Sequence, residues 1–358
     1  MDPVIERMLD EMKSMEIVKV KEPSSGTQLK LFVTLRNGAL ALLKPLRFDR
    51  QQSLKDPNQF YFSEFERANA EIAAFHLDKV MGFNRVPPTV GRRVNLTREI
   101  EPIAPLVLKQ TIFTSPIGNR CFHGNCDYYC DTGHAICGKP HVFDASFQAT
   151  IPMMEDEPRI ENASPWRRSY SKFYRADWEY NPFYCDSMKR DVLKNRTLLD
   201  IIDVSLFDFL TGNQDRHHFD TFKRYGDQSA PILFDNGRAY VFLFFFLVLK
   251  SPVPKWNLNF FFFYRFGLPD FDDETILAPL NQCCLLRYST LERLLQFQNG
   301  PDKLSELFHQ STTMDPLYPL VHDDFLTALD RRLVTILKTV RTCIWLNDYK
   351  NVIFDDGL

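Results

Sequence analysis

Two short runs of acids and amides near the middle of the chain are built for chemistry. The first reads Gly212-Asn213-Gln214-Asp215-Arg216-His217-His218-Phe219-Asp220, and the second reads Leu233-Phe234-Asp235-Asn236-Gly237. Each follows an apolar segment (residues 204–210 and 231–234), so Asp215 and Asp235, twenty residues apart, sit at loop edges beside buried structure. Phosphoryl transfer needs this layout: one Asp accepts the proton of the acceptor hydroxyl, and a second holds the divalent cation that bridges the nucleotide phosphates. Asp, Asn and Gly are also ordinary turn residues, so either run alone reads as a solvated turn. The two in this order are harder to assign to turns.

Other residues could join them. Lys44 ends an apolar strand and suits nucleotide phosphates if a helix carboxylate holds it; otherwise it is a solvated strand end. Glu66 and Glu71 compete for that carboxylate role. Glu66 shares its helix face with Ala70, Ala73 and Leu77, whereas Glu71 lies about 140° round, so Glu66 is preferred. Gly26-Thr27-Gln28 precedes the hairpin and could cover phosphates, although neither a Gly-x-Gly-x-x-Gly nor a Walker loop occurs. Asp220 is a further metal-side or phosphate-side candidate, and hard oxygen ligands suit Mg²⁺ or Mn²⁺. His217 and His218 cannot both face one way along an extended segment. Trp166-Arg167-Arg168-Ser169-Tyr170, with Trp178 and Tyr180, reads as an acceptor groove or as lobe packing.

The elements that must position these groups are legible from period and punctuation. A short helix covers residues 4–15. Apolar runs at 28–33 and 39–43 flank Arg36-Asn37-Gly38 as a hairpin. A polar loop follows at 49–58, then a helix over 63–81, capped by Ser63 and stopped by Gly82. An extended piece at 90–94 completes a small α+β lobe over 1–105, leaving 106–358 as a more helical catalytic lobe. There, 198–210, 288–296 and 324–343 have helical spacing, the last with Leu326, Leu329, Leu333, Ile336, Leu337 and Val340 inward.

The 358 residues carry a formal net charge of −3, which implies no strong field for nucleic acid or membrane. The eight cysteines are even in number, and the gaps among Cys121, Cys126, Cys130 and Cys137 lack the paired C-x2-C spacing of zinc sites. With sequons at Asn95, Asn162 and Asn195, they favour disulfides and an oxidising compartment over zinc. The charged, amphipathic start has no apolar signal region. A luminal protein needs one, so the chain is expected to be a fragment or the product of an incomplete gene model.

Residues 240–265 do not match their surroundings. They are rich in Phe, in apolar runs too short to span a bilayer. Phenylalanine has T-rich codons like the tract before a splice acceptor, and removing the segment joins Asp-Asn-Gly-Arg-Ala to Phe266-Gly267-Leu268. A retained in-frame intron is the reading here, and a lineage-specific loop is the alternative.

Taken together, these residues resemble the secretory-pathway kinase family that includes the Golgi casein kinase and the glycosaminoglycan xylosylkinase. The resemblance runs from about residue 4 to the C-terminal end, interrupted at 240–265. Its specific pieces are Ala70-Glu71-Ile72-Ala73-Ala74-Phe75-His76-Leu77-Asp78, the Asp215 run, Asp235-Asn236-Gly237-Arg238, and Ile276-Leu277-Ala278-Pro279-Leu280-Asn281-Gln282-Cys283-Cys284. It implies an α+β, atypical two-lobed protein-kinase-like fold with a disulfide-stapled, mainly helical C-lobe. It implies Asp215 as catalytic base, Asp235 and Glu66 as metal ligands, and Glu66 as the partner of Lys44. Gln28 and Asp220 would lie at the nucleotide, with Gln148, Ala149, Thr150 and Ile151 as the hinge beside adenine. The implied cofactors are ATP and Mn²⁺, with Mg²⁺ as a substitute, and the implied disulfides are Cys121–Cys137, Cys126–Cys130, Cys185–Cys283 and Cys284–Cys343.

The segments Cys121–Cys130 and Pro165–Tyr170, and a glutamate at position 66, look closer to the casein-kinase branch. That branch implies an extracellular serine/threonine protein kinase of the Golgi lumen acting on Ser-x-Glu sites of secreted proteins, an acidic target that would suit Arg167 and Arg168. The alternatives are a xylosylkinase acting on the proteoglycan linker and a pseudokinase that activates a relative. A homo- or heterodimer with a family member is left open. One departure stands out: Phe219-Asp220 replaces the usual Tyr-Glu, leaving the acid one methylene shorter.

Overall fold

Asp2 and Pro3 start the first helix, α1 (Pro3–Ser14): the Asp2 carboxylate accepts the Val4 N–H at 2.7 Å, and Pro3 needs no donor partner at that position. The structure, a computed structural model, describes residues 2–23, 28–47, 67–127, 130–151, 158–169, 171, 173–191, 195–236, 272–355 and 357. The expected polar loop at 49–58, the Ser63 cap and the whole of 240–265 lie outside them. After α1 come strands β1 (Ile17–Lys21), β2 (Leu31–Leu35) and β3 (Leu40–Pro45), helix α2 (Arg67–Met81) and strand β4 (Thr89–Asn95). The β2–β3 turn is the expected one. Gly38 takes φ +87°, which only glycine adopts without strain, and the Asn37 side chain accepts the Ala39 N–H at 3.0 Å.

A short helix α3 (Leu106–Lys109) leads into a three-stranded sheet of β5 (Ile112–Thr114), β6 (Arg120–Phe122) and β7 (Ile136–Cys137). The chain then returns as β8 (Val142–Ala149). This strand enters the first sheet, whose order is β1-β2-β3-β8-β4, pairing antiparallel on both sides so that Lys44 lies opposite Ser146. Here the structure differs from the expected lobe limit at 105. A hairpin plus one further strand leaves a gap that only a later segment fills, and no local sequence signal reports that pairing. Arg92 of β4 ties the sheet to α1 by donating to the carbonyls of Met12 and Met15.

The second half is mainly helical: α4 (Tyr184–Asp191), α5 (Asn195–Thr211), α6 (Ala278–Cys283), α7 (Tyr288–Asn299), α8 (Leu304–Thr312) and α9 (Asp323–Asn347), with a two-stranded ribbon of β9 (Arg159–Ala163) and β10 (His218–Phe222). Helix α5 is buried from Leu198 to Thr211, and α9 presents Leu329, Leu333, Ile336 and Val340 to the same core. All four disulfides form in the implied pairs, and no described cysteine is free, which removes the zinc alternative. Cys121–Cys137 joins register partners of β6 and β7. Cys185–Cys283 and Cys284–Cys343 staple α4 and α9 to the last residue of α6 and to the cap residue that follows it. No helix among the described residues is long and apolar enough to cross a membrane.

Candidate active site

Lys44 sits on β3, in the middle of the sheet, where burial deprives its ammonium of most of its hydration. The residue is 5% exposed, and the charge is met by carboxylates on two other elements. Its Nζ pairs with Glu71 Oε1 of α2 and lies 3.3 Å from Asp235 Oδ1. The other Glu71 oxygen accepts the backbone N–H of Asn236 at 3.2 Å. One buried carboxylate thus fixes the lysine and the loop carrying Asp235 together. Asp235 takes φ +52°, and its carboxylate remains about a third exposed.

The expected partnership of Lys44 with Glu66 is therefore corrected: the partner is Glu71, five residues on. The apolar-face argument fails because α2 has no solvent face along this stretch. Every residue from Ala68 to Asp78 is buried, so the side away from the alanines faces the cleft rather than water. Glu66 lies outside the described residues.

Asp215 is positioned by a second buried network. Asp208, near the end of α5, accepts Arg216 Nη2 at 2.8 Å and Nε at 3.0 Å, and Asn213 Nδ2 at 3.1 Å. Burial pushes the Asp208 carboxyl up, against the pull of the Arg216 guanidinium. Asn213 Oδ1 in turn accepts the Asp215 N–H at 3.0 Å. From the far side, Arg216 donates to the Phe234 carbonyl at 2.8 Å and to Asn236 Oδ1 at 2.6 Å. One guanidinium thereby ties the loop of Asp215 to the loop of Asp235. The adjacent His217 ring lies 2.8 Å from the Asp215 carbonyl, and the Asp215 side chain holds that imidazole above its usual range. His217 packs edge-on against His218 at 4.3 Å. Among the described residues, no group of three or more His, Cys, Asp or Glu side chains could hold a metal.

The remaining candidates fall into two groups. Gln28, before β2, is buried with no hydrogen-bond partner for Oε1 among the described residues, and the buried Thr150 Oγ1 likewise has none among them. Gln148 Nε2 donates to Thr89 Oγ1 at 3.2 Å, while the N–H groups of Ala149 and Thr150 go to the carbonyls of Pro88 and Leu40. Asp220 lies on β10 and pairs with Arg159 of β9 at 2.9 Å, the guanidinium stacking over Phe234 at 5.0 Å. Burial raises its carboxyl despite that arginine. Its backbone bridges Ile232, three residues before Asp235. Asp208, Arg216 and Arg159 carry no role in the sequence analysis, where Glu71 stands only as the less favoured rival of Glu66. A signal existed for two of them: Asp208 inside the apolar run at 204–210 and an arginine beside the catalytic candidate both call for a buried counter-charge.

The pattern of a known family, Golgi casein kinase, C-terminal, Fam20, matches residues 1–242 and 264–352. The chain belongs to the Fam20 family. In Drosophila melanogaster, Extracellular serine/threonine protein CG31145 is 44% identical over 97% of this chain and 61% of its own length. Human FAM20C, an extracellular serine/threonine protein kinase, is 41% identical over 99% of this chain and 57% of its own length. The chain thus spans about three fifths of these relatives. The crystal structure of the Golgi casein kinase with Mn/ADP bound superposes with a TM-score of 0.85 at 39% identity, covering 100% of this chain and 81% of that one. Fam20 relatives with other roles match as well, including human pseudokinase FAM20A at 40% and a zebrafish glycosaminoglycan xylosylkinase at 35% identity. The two-lobed, disulfide-stapled kinase-like fold read from the motifs is the fold of this chain. The family pattern also passes over residues 243–263, nearly the stretch that looked foreign in the sequence.

Proposed function

We propose that this chain is the catalytic part of an ATP- and Mn²⁺-dependent serine/threonine kinase of the secretory lumen, acting on acidic Ser-x-Glu sites of secreted proteins. The observation that carries the reading is Lys44, held by buried Glu71 within 3.3 Å of Asp235, while Arg216 bonds the loops of Asp215 and Asp235 at once. The residues fit a nucleotide: Gln28 Oε1 and Thr150 Oγ1 are buried polar atoms lacking partners among the described residues, and the carboxylates are hard oxygen donors. Asp235 with Glu66 would hold the cation, which supplies charge neutralisation on the phosphates. Lys44 steadies the phosphates. Gln28, Gln148, Ala149, Thr150, Ile151 and Asp220 would line the nucleotide. Asp215 orients the acceptor serine and takes its proton. Four disulfides support an oxidising compartment.

Asp215→Ala is expected to lower transfer to a Ser-x-Glu peptide by about 10³-fold while nucleotide binding and the melting temperature stay close to wild type. Wild-type turnover in that variant would defeat the assignment. Transfer by the wild type to a xyloside, with none to the peptide, would move the chain to the xylosylkinase reading. Nucleotide binding without turnover, together with stimulation of a related kinase, would make it a pseudokinase activator.

A further inference from the structure

Arg167 and Arg168 are neighbours in sequence, yet the structure gives them different work. Arg168 is spent on the fold: Nη2 donates to Asp273 Oδ2 at 2.7 Å and to Thr275 Oγ1 at 2.8 Å. Arg167 is exposed, and it makes no ion pair with a described residue. Its backbone, however, is anchored at both its N–H and its carbonyl. Trp178 Nε1 donates to the Arg167 carbonyl at 2.8 Å, and the Arg167 N–H closes a turn onto the Ser164 carbonyl. The preceding Trp166 is buried with its indole N–H on Gln282 Oε1 at 2.8 Å, and the same amide donates to the Trp178 carbonyl. Long cationic side chains on a surface usually ride on mobile backbone. A buried indole bonded to the Arg167 carbonyl, and a second buried indole just before it in the chain, fix the backbone from which the exposed guanidinium projects, as a preorganised contact requires.

Its location indicates what it contacts. The Ser164 N–H donates to the carbonyl of His217, two residues after Asp215, and Ala163 pairs with His218 in the β9–β10 ribbon. A turn keeps its first and fourth α-carbons within about 7 Å, so Arg167 stands one turn from the strand that carries the catalytic loop. An extended peptide repeats its side-chain direction every second residue, about 7 Å on. A peptide whose serine sits at Asp215 and which runs toward this turn would bring the carboxylate two positions on to the guanidinium, and Arg binds carboxylates through two parallel N–H donors.

We propose that Arg167 is the residue that recognises the acidic position two residues after the acceptor serine, with Arg168 serving only to hold the segment in place. The inference rests on the protein-kinase reading above and names its specificity determinant. The test measures kcat/KM on a Ser-x-Glu peptide and its Ser-x-Gln counterpart. Arg167→Ala should collapse the Glu/Gln ratio toward one, a loss of about 30-fold on the acidic peptide for a lost charge-assisted contact, with an unchanged melting temperature. Arg167→Glu should shift preference to a Ser-x-Lys peptide. Arg175→Ala removes an exposed arginine of the same stretch and should leave the ratio as it was. A preserved ratio in Arg167→Ala, or an equal loss in Arg175→Ala, would overturn the assignment while leaving the kinase reading intact. A wild type that transfers to neither peptide would overturn both.

Discussion

Lys44 and Glu71 are 5% and 0% exposed, so each charge depends on the other. Removing one member of a buried pair strands the other and typically costs about 3–5 kcal/mol. Glu71→Leu should therefore lower unfolding free energy by about 3 kcal/mol and weaken ATP binding. Lys44→Met combined with Glu71→Leu should recover part of that stability without recovering turnover. Urea unfolding and nucleotide titration of the single and double variants check this, and simple additivity of the two changes would show that the pair is not coupled. Glu66, as the proposed metal ligand, should behave differently: Glu66→Gln should change the Mn²⁺ dependence of turnover more than stability.

Helix α2 carries two further buried ionisable groups with opposite tendencies. Burial, then Lys79 and Lys13, lowers the His76 imidazole to about 4; its ring lies 2.8 Å from Ser311 Oγ. Burial raises Asp78 to about 6, although its carboxylate accepts the N–H groups of Arg85 and Val86 and feels the Arg85 charge. The folded state binds fewer protons than the unfolded chain at His76, a contribution present above pH 6.5 and lost as pH falls toward 4. It binds more at Asp78, a contribution present below pH 3.8 and lost as pH rises through about 6. The two slopes oppose between roughly pH 4 and 6, so the wild type should show little net dependence from α2 in that window. Asp78→Asn should unmask a rise in stability of about 2 kcal/mol between pH 4 and 6.5, read from urea midpoints. A fall over the same range would refute the pairing of effects. The Asp78 carboxylate also holds the loop whose Arg85 carbonyl accepts the Leu233 N–H, at the start of the Asp235 run. The helix that supplies Glu71 thus steadies that run from two directions.

Over the whole molecule, one continuous core runs from α1 and the five-stranded sheet through α5 to α9, and the long-range disulfides close it. Cys185–Cys283 and Cys284–Cys343 span 98 and 59 residues, and loop-closure entropy assigns each about 4 kcal/mol, against about 2 kcal/mol for the four-residue span of Cys126–Cys130. Replacing Cys284 and Cys343 by serine should accordingly lower the melting temperature far more than the same change at Cys126 and Cys130. Comparable shifts would assign the stabilisation to local geometry. Residues 240–265 belong to this scale too. A chain lacking them should fold in better yield and retain transfer, since the family pattern matches up to residue 242 and again from 264, passing over most of the segment. Failure of the deleted chain to fold would show that the segment belongs to the core.

The local elements were legible because each is encoded locally. The short helix expected at 4–15, the Asn37-Gly38 turn, the apolar stripe of α9 and the two Asp runs announce themselves by spacing alone, whereas the Asp2 cap and Pro3 start of α1 came with the structure. The disulfide pairing and fold followed from the order of motifs shared with the family. What local sequence decided wrongly, as with Glu66, or left unreported was long-range. Whether Glu66 or Glu71 meets Lys44 depends on which side of α2 is closed off by β8 and by the segment around Leu317, and a helix buried all round has no periodic signal to reveal it. The placement of β8 between β3 and β4, and the reach of Arg216 to Asn236, join residues far apart in the chain. Only the packed molecule brings such groups together, because each burial is satisfied by a partner that the local sequence does not contain.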